Sequence, residues 1–139
     1  MEVIYQIIGG LVLAIVLPQF IKVITEVSKT KRLEFSHLFI DGGMPSSHSS
    51  FVSALSTAMV IVEGITMLTL ITLAFSSVII RDSFGIRLEV GKQKKILERL
   101  DPEDARKEKL KREGHTILQV CAGILFGVIL MFLVLNICN

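Results

Sequence analysis

Apolar residues come along this chain in long blocks and not in stripes. The first block runs from about Val3 to Ile24 and contains Gly9, Gly10 and Pro18. The second starts at Pro45, passes through SSHSSFVSALSTAMVIV to about Val62, and ends at Glu63-Gly64, which reads as a tight turn. A third, ITMLTLITLAFSSVII, ends at Ile80, and a fourth runs from Thr116 to Ile137. Blocks one and four carry apolar residues on every helical face, where a soluble helix keeps a polar side. Each is long enough to cross about 30 Å of hydrocarbon. Blocks two and three sit at the lower limit of length and are expected to extend through their polar ends or to thin the bilayer locally. The pattern predicts an all-α integral membrane bundle of about four transmembrane helices, with residues 1–139 as one domain.

Charge is segregated as sharply as hydrophobicity. Of 28 charged residues, 19 lie between Arg81 and Glu113. Helix three is expected to continue through RDSFGIRLEVGKQKKILERL; Asp101 and Pro102 then read as the cap and first position of a short helix that Gly114 ends. Most of these charges read as a solvated amphipathic face. All 15 Lys and Arg lie at the end of block one, just after it, or after block three. The positive-inside rule therefore places both charged loops in the cytoplasm and both termini outside.

Composition narrows the classes. Apolar residues reach 51% before the ten glycines are added, and the mean hydropathy is +0.65. Such a chain is not disordered, not a disulfide-stapled module, and not an ordinary nucleic-acid-binding surface. A net charge of +2 argues for no polyanion. Cys121 and Cys138, in one helix and too far apart to bridge, are expected to be inert packing residues. The N-terminus has neither a basic n-region nor an A-x-A-like site, so the first block is expected to stay in the mature protein.

The stretch Asp41-Gly42-Gly43-Met44-Pro45-Ser46-Ser47-His48-Ser49-Ser50 carries the chemistry. Two glycines free the backbone, and Pro45 is expected at the first helical position. Ser46 and Ser47 then fall in the first turn, where unpaired amides and the positive dipole end favour an anion. His48 is within reach of the same anion. The bland reading is close packing by small residues, which Ser50, Ala54 and Thr57 at helical spacing fit. Gly123-x-x-x-Gly127 reads either as a homodimer face or as a contact inside the molecule. Lys22 either snorkels to the interface or faces a site, and His37 is most simply interfacial.

Pro45-Ser46-Ser47-His48 resembles the Pro-Ser-Gly-His motif of the type-2 phosphatidic acid phosphatase and vanadium haloperoxidase superfamily. The wider pattern resembles its divergent membrane branch: Gln19-Phe-Ile-Lys22, then Gly42-Gly-Met-Pro-Ser-Ser-His48, then Asp82-x-x-Gly85-x-Arg87-x-x-x-Gly91-x-Gln93, then Gly114-His115-Thr116. The pieces occur in order over nearly the whole chain, and the predicted topology puts each at the same membrane face.

The resemblance implies a lipid phosphatase acting on a phospholipid or polyprenyl (pyro)phosphate through a phosphohistidine. It implies His115 as nucleophile and His48 as acid, with Ser46, Ser47, Lys22, Arg87 and Lys92 holding phosphate. Asp82, Gln119, Gln93 and Gly43 become orienting residues. No metal or other cofactor is expected, and the partners are the lipid substrate and membrane lipids. Two positions depart from the superfamily pattern: Gln119 stands where an acidic residue holds the nucleophilic histidine, and Lys109 where an arginine binds phosphate. The competing reading is a non-catalytic membrane protein that binds phosphate or anionic headgroups, or a small transport or scaffold subunit.

Overall fold

A computed structural model describes residues 2–31, 43–100 and 115–137 of the chain. Among the described residues every regular element is an α-helix: α1 (Glu2–Thr30), α2 (Ser47–Glu63), α3 (Met67–Phe84), α4 (Ile86–Leu100) and α5 (Ile117–Ile137). The short helix expected after Asp101, His37, Lys109 and Cys138 lie outside the described residues.

Three helical stretches are long and apolar enough to cross a membrane: Glu2–Ser28, Met67–Gln93 and Ile117–Ile137. The expected count of about four is met only in part. Helix α2 has 17 residues, about 26 Å at 1.5 Å per residue, and falls short by length. It is also the most buried helix, packed against α1, α3 and α5. Helix α3 does not run on unbroken, since Gly85 ends it and α4 begins one residue later.

Size and burial are inverted relative to a water-soluble core. The buried centre is Ala14, Ala54, Ala58, Met131 and Leu135, whereas Val12, Val16, Leu70, Phe75, Leu125 and Phe132 are exposed. Alanines, with Met131 and Leu135, face inward while many bulky apolar residues face out, the arrangement that suits helices packed within lipid. Cys121 is exposed as well, which corrects its expected packing role.

The serines of α2 explain how a polar helix occupies the middle. Ser53 donates to the Ser49 carbonyl (2.7 Å), Ser56 to Val52 (2.8 Å) and Thr57 to Ser53 (2.8 Å). Each hydroxyl is satisfied by its own helix, so burial leaves it no lost partner. Two reach across as well: Ser56 and Ser76 oxygens are 2.9 Å apart, and Ser53 lies 3.1 Å from the Ile124 carbonyl. On α5, a Cβ at Gly123 would stand 2.5 Å from the Ser46 carbonyl oxygen, and one at Gly127 would collide with Ser50. The Gly-x-x-x-Gly pair is thus a seat for α2 within the molecule. The expected Glu63-Gly64 turn is present, with Gly64 at φ +69°, ψ −154°, a conformation that glycine adopts without strain.

Candidate functional site

Four chain segments meet at one end of the bundle: the α1 stretch around Lys22, the start of α2, the end of α3 and the approach to α5. Backbone bonds hold them in place. The Ser46 amide donates to the Gln119 carbonyl at 3.2 Å, tying α2 to α5, and the His115 amide donates to the Ser83 carbonyl at 3.1 Å, tying α5 to α3. Motifs far apart in sequence therefore meet at one end of the bundle.

The start of α2 differs in register from the sequence expectation. Pro45 lies before the helix; Ser46 is the N-cap, accepting the Ser49 amide on its hydroxyl (3.4 Å). Ser46 is fully buried and its amide is spent on Gln119, so its role here is structural. Ser47, the first helical residue, is the one that meets a cation. The Lys22 ammonium donates to its hydroxyl at 3.1 Å, and that hydroxyl lies 3.4 Å from Gln19 Oε1. Lys22 is only 5% exposed, which excludes snorkelling to the interface. Its stem runs past Gly43, whose φ of +89° is the left-handed region that favours glycine.

His115 is 3% exposed, at the threshold of α5. Its Nδ1 is 3.4 Å from Gln119 Oε1, and that oxygen also accepts the Thr116 amide at 3.0 Å. In return the Gln119 amide donates to Thr116 Oγ1 at 3.4 Å. Thr116 and Gln119 thus form a reciprocal capping box. Because an amide N–H only donates, it fixes which end of the carboxamide faces the histidine, and that end is the acceptor oxygen. Burial pushes the His115 pKa below its usual 6.5, and the nearby Lys22 charge pushes the same way; Gln119 opposes, His48 adds to the lowering, and a hydrogen bond to the Gly43 backbone opposes it. The two largest effects both favour the neutral ring.

The structure thus brings together His115, Lys22, Ser47, Gln119, Gly43 and the charge of His48, which is itself exposed on the first turn of α2. Asp82 is half-buried in the last turn of α3, next to Ser83. Lys92 is elsewhere: exposed on α4, it pairs with Glu89 at 2.6 Å. Gln93 is exposed on the same helix, and the Arg87 side chain lies outside the description. Sequence reasoning missed Ser83, which acts through its carbonyl and so leaves no side-chain signature, and the capping box, which was legible as Thr-x-x-Gln.

This convergence has a counterpart among known sequences. The model of the Divergent PAP2 family matches residues 5–130. The chain belongs to that family. A curated relative, the uncharacterized membrane protein YuiD of Bacillus subtilis (strain 168), is 32% identical, with 84% of this chain and 85% of the relative covered. No solved structure matches. The Divergent PAP2 family match covers all the residues gathered at the site, from Gln19 to Gln119.

Proposed function

We propose that this protein is a membrane-embedded lipid phosphatase, a phosphoric monoester hydrolase that cleaves a phospholipid or polyprenyl (pyro)phosphate through a phosphohistidine on His115. The observation that carries the reading is a buried His115, whose burial favours the neutral ring, beside a buried Lys22 that is bonded to Ser47 in the first turn of α2. A neutral imidazole is a nucleophile, and a cation with a helix N-terminus suits the charge of a phosphoryl group.

In the tautomer that donates Nδ1–H to Gln119, Nε2 carries the lone pair and attacks phosphorus. The phosphorus–oxygen bond to the lipid breaks, and His48 in its protonated form gives the departing oxygen its proton. Water, surrendering a proton to His48, then displaces His115 and releases phosphate. Lys22, Ser47 and the first-turn amides of α2 neutralise the equatorial oxygens; Arg87 is proposed to join them from the end of α3, and the route asks for no metal. The same reading has α2 crossing as a fourth, thin span, the site on the cytoplasmic face and both termini outside, as the basic residues suggest.

One observation favours the non-catalytic alternative. Attack leaves positive charge on the phosphorylated ring, and the Gln119 carboxamide stabilises that charge less than a carboxylate does. The deciding experiment is phosphate release from a panel of lipid phosphates in EDTA, with His115→Ala and His48→Ala beside wild type. Release by wild type alone supports the phosphatase; silence on every lipid, with phosphate binding retained, supports the alternative.

A further inference from the structure

Helix α4 presents apolar residues that stand exposed among the described residues. Ile86, Val90, Ile96 and Leu100 are all exposed, between 55% and 76%. At 100° per residue they fall on one arc of about 120°. Glu89 and the uncharged Gln93 share that arc; Glu89 is turned to Lys92, 2.6 Å away, so the pair presents no net charge. Among the described helices α4 packs only against α3, its immediate predecessor.

Charge identifies the occupant. Residues 81–113 hold eleven Lys and Arg against eight Asp and Glu. Within α4 the count is five against two, and outside it six against six, so the whole positive excess of the segment sits on this helix. Location agrees with charge. Gly85 separates α4 from α3, and the candidate span Met67–Gln93 takes in the first half of α4, so this helix carries the chain out of the apolar stretch. A basic helix with one apolar face, starting there, matches the chemistry of helices that lie in the headgroup layer of anionic membranes.

We propose that α4 is an interfacial helix whose Ile86–Val90–Ile96–Leu100 face lies in the same bilayer that α3 enters, held there by anionic lipid. The helix leaves α3 next to Ser83, the residue whose carbonyl holds His115, so it gathers anionic headgroups at the mouth of the candidate site. The proposal concerns lipid contact and stands whether or not the protein is a phosphatase.

The chain contains no tryptophan, so a single one reports alone. The full-length Val90→Trp protein is reconstituted in vesicles of phosphatidylcholine, with or without one-third phosphatidylglycerol, and quenched with chain-brominated lipid. A Phe75→Trp protein, labelled on the exposed face of α3, is the control quenched in both. The expected result is blue-shifted emission and several-fold stronger quenching of Val90→Trp in the anionic vesicles, weakened by high salt and by adding Lys94→Glu and Lys95→Glu. Water-like, unquenched emission in both lipids overturns the proposal. So does blue-shifted emission that brominated lipid leaves untouched, which means protein covers the face, and so does quenching indifferent to lipid charge, salt and the two lysine substitutions.

Discussion

His115 is a histidine that the fold keeps from charging. Burial and Lys22 both favour the neutral ring, so in the window from pH 6.5 down to its lowered native value the unfolded chain binds more protons than the folded one. Stability from this residue is therefore complete above pH 6.5 and is lost as pH falls through that window. In detergent, the melting temperature of wild type is expected to fall on acidification below pH 6.5, and the fall to be shallower in His115→Asn. Equal acid sensitivity in the two proteins contradicts the assignment. Gln119→Glu places a carboxylate 3.4 Å from the ring in place of the amide oxygen, which raises the histidine pKa; the acid limb of phosphate release should move to higher pH. Lys22→Met, which removes the cation beside Ser47, is expected to cost about 10²- to 10³-fold in release, with a normal melting profile as the check that the bundle is intact.

At the scale of elements, the contact between α2 and α5 is made by the absence of side chains. Gly127→Ala drives a methyl group into Ser50 and is expected to cost about 1–3 kcal/mol. Gly9 offers the contrast, because a Cβ there meets nothing within 4 Å; Gly9→Ala is expected to be neutral or to stabilise by up to about 1 kcal/mol. Thermal unfolding of both variants in one detergent tests the pair, and equal effects would show that the glycines do not differ in packing. The Gly-x-x-x-Gly spacing was plain in the sequence, yet it left open whether its partner was another copy or α2. Only three-dimensional proximity to Ser46, Ser49, Ser50 and Ser53 decides that. Helix α2 was legible as an element but its role was not: hydropathy reads serines as polar, whereas the fold satisfies the Ser53 and Ser56 hydroxyls internally and buries them.

For the whole molecule, the block pattern made the helical membrane bundle legible, and the ordered motifs indicated which residues would meet. His115, Lys22 and Ser47 do so. The sequence could not say that Ser46 would be consumed as a cap, that Lys92 would pair with Glu89, or that Pro45 would stay outside the helix. Those outcomes depend on which hydrogen-bond partner is nearest once four segments converge, and spacing along the chain does not encode that. Orientation remains a prediction of the basic loops: with Cys121→Ser removing the exposed thiol of α5, a membrane-impermeant reagent applied to intact cells should label Cys138, and protection there with labelling only after lysis reverses the topology.

The central claim is that phosphorus passes through His115. Its most direct test is a brief pulse of purified protein with lipid phosphate carrying labelled phosphorus, in EDTA, followed by denaturation. The expected result is label on the wild-type chain that acid removes and base spares, as for a phosphorus–nitrogen bond. His115→Ala is expected to carry no label, and His48→Ala to turn its label over more slowly. Label that persists in His115→Ala, or phosphate release with no labelled chain at any time, would contradict it.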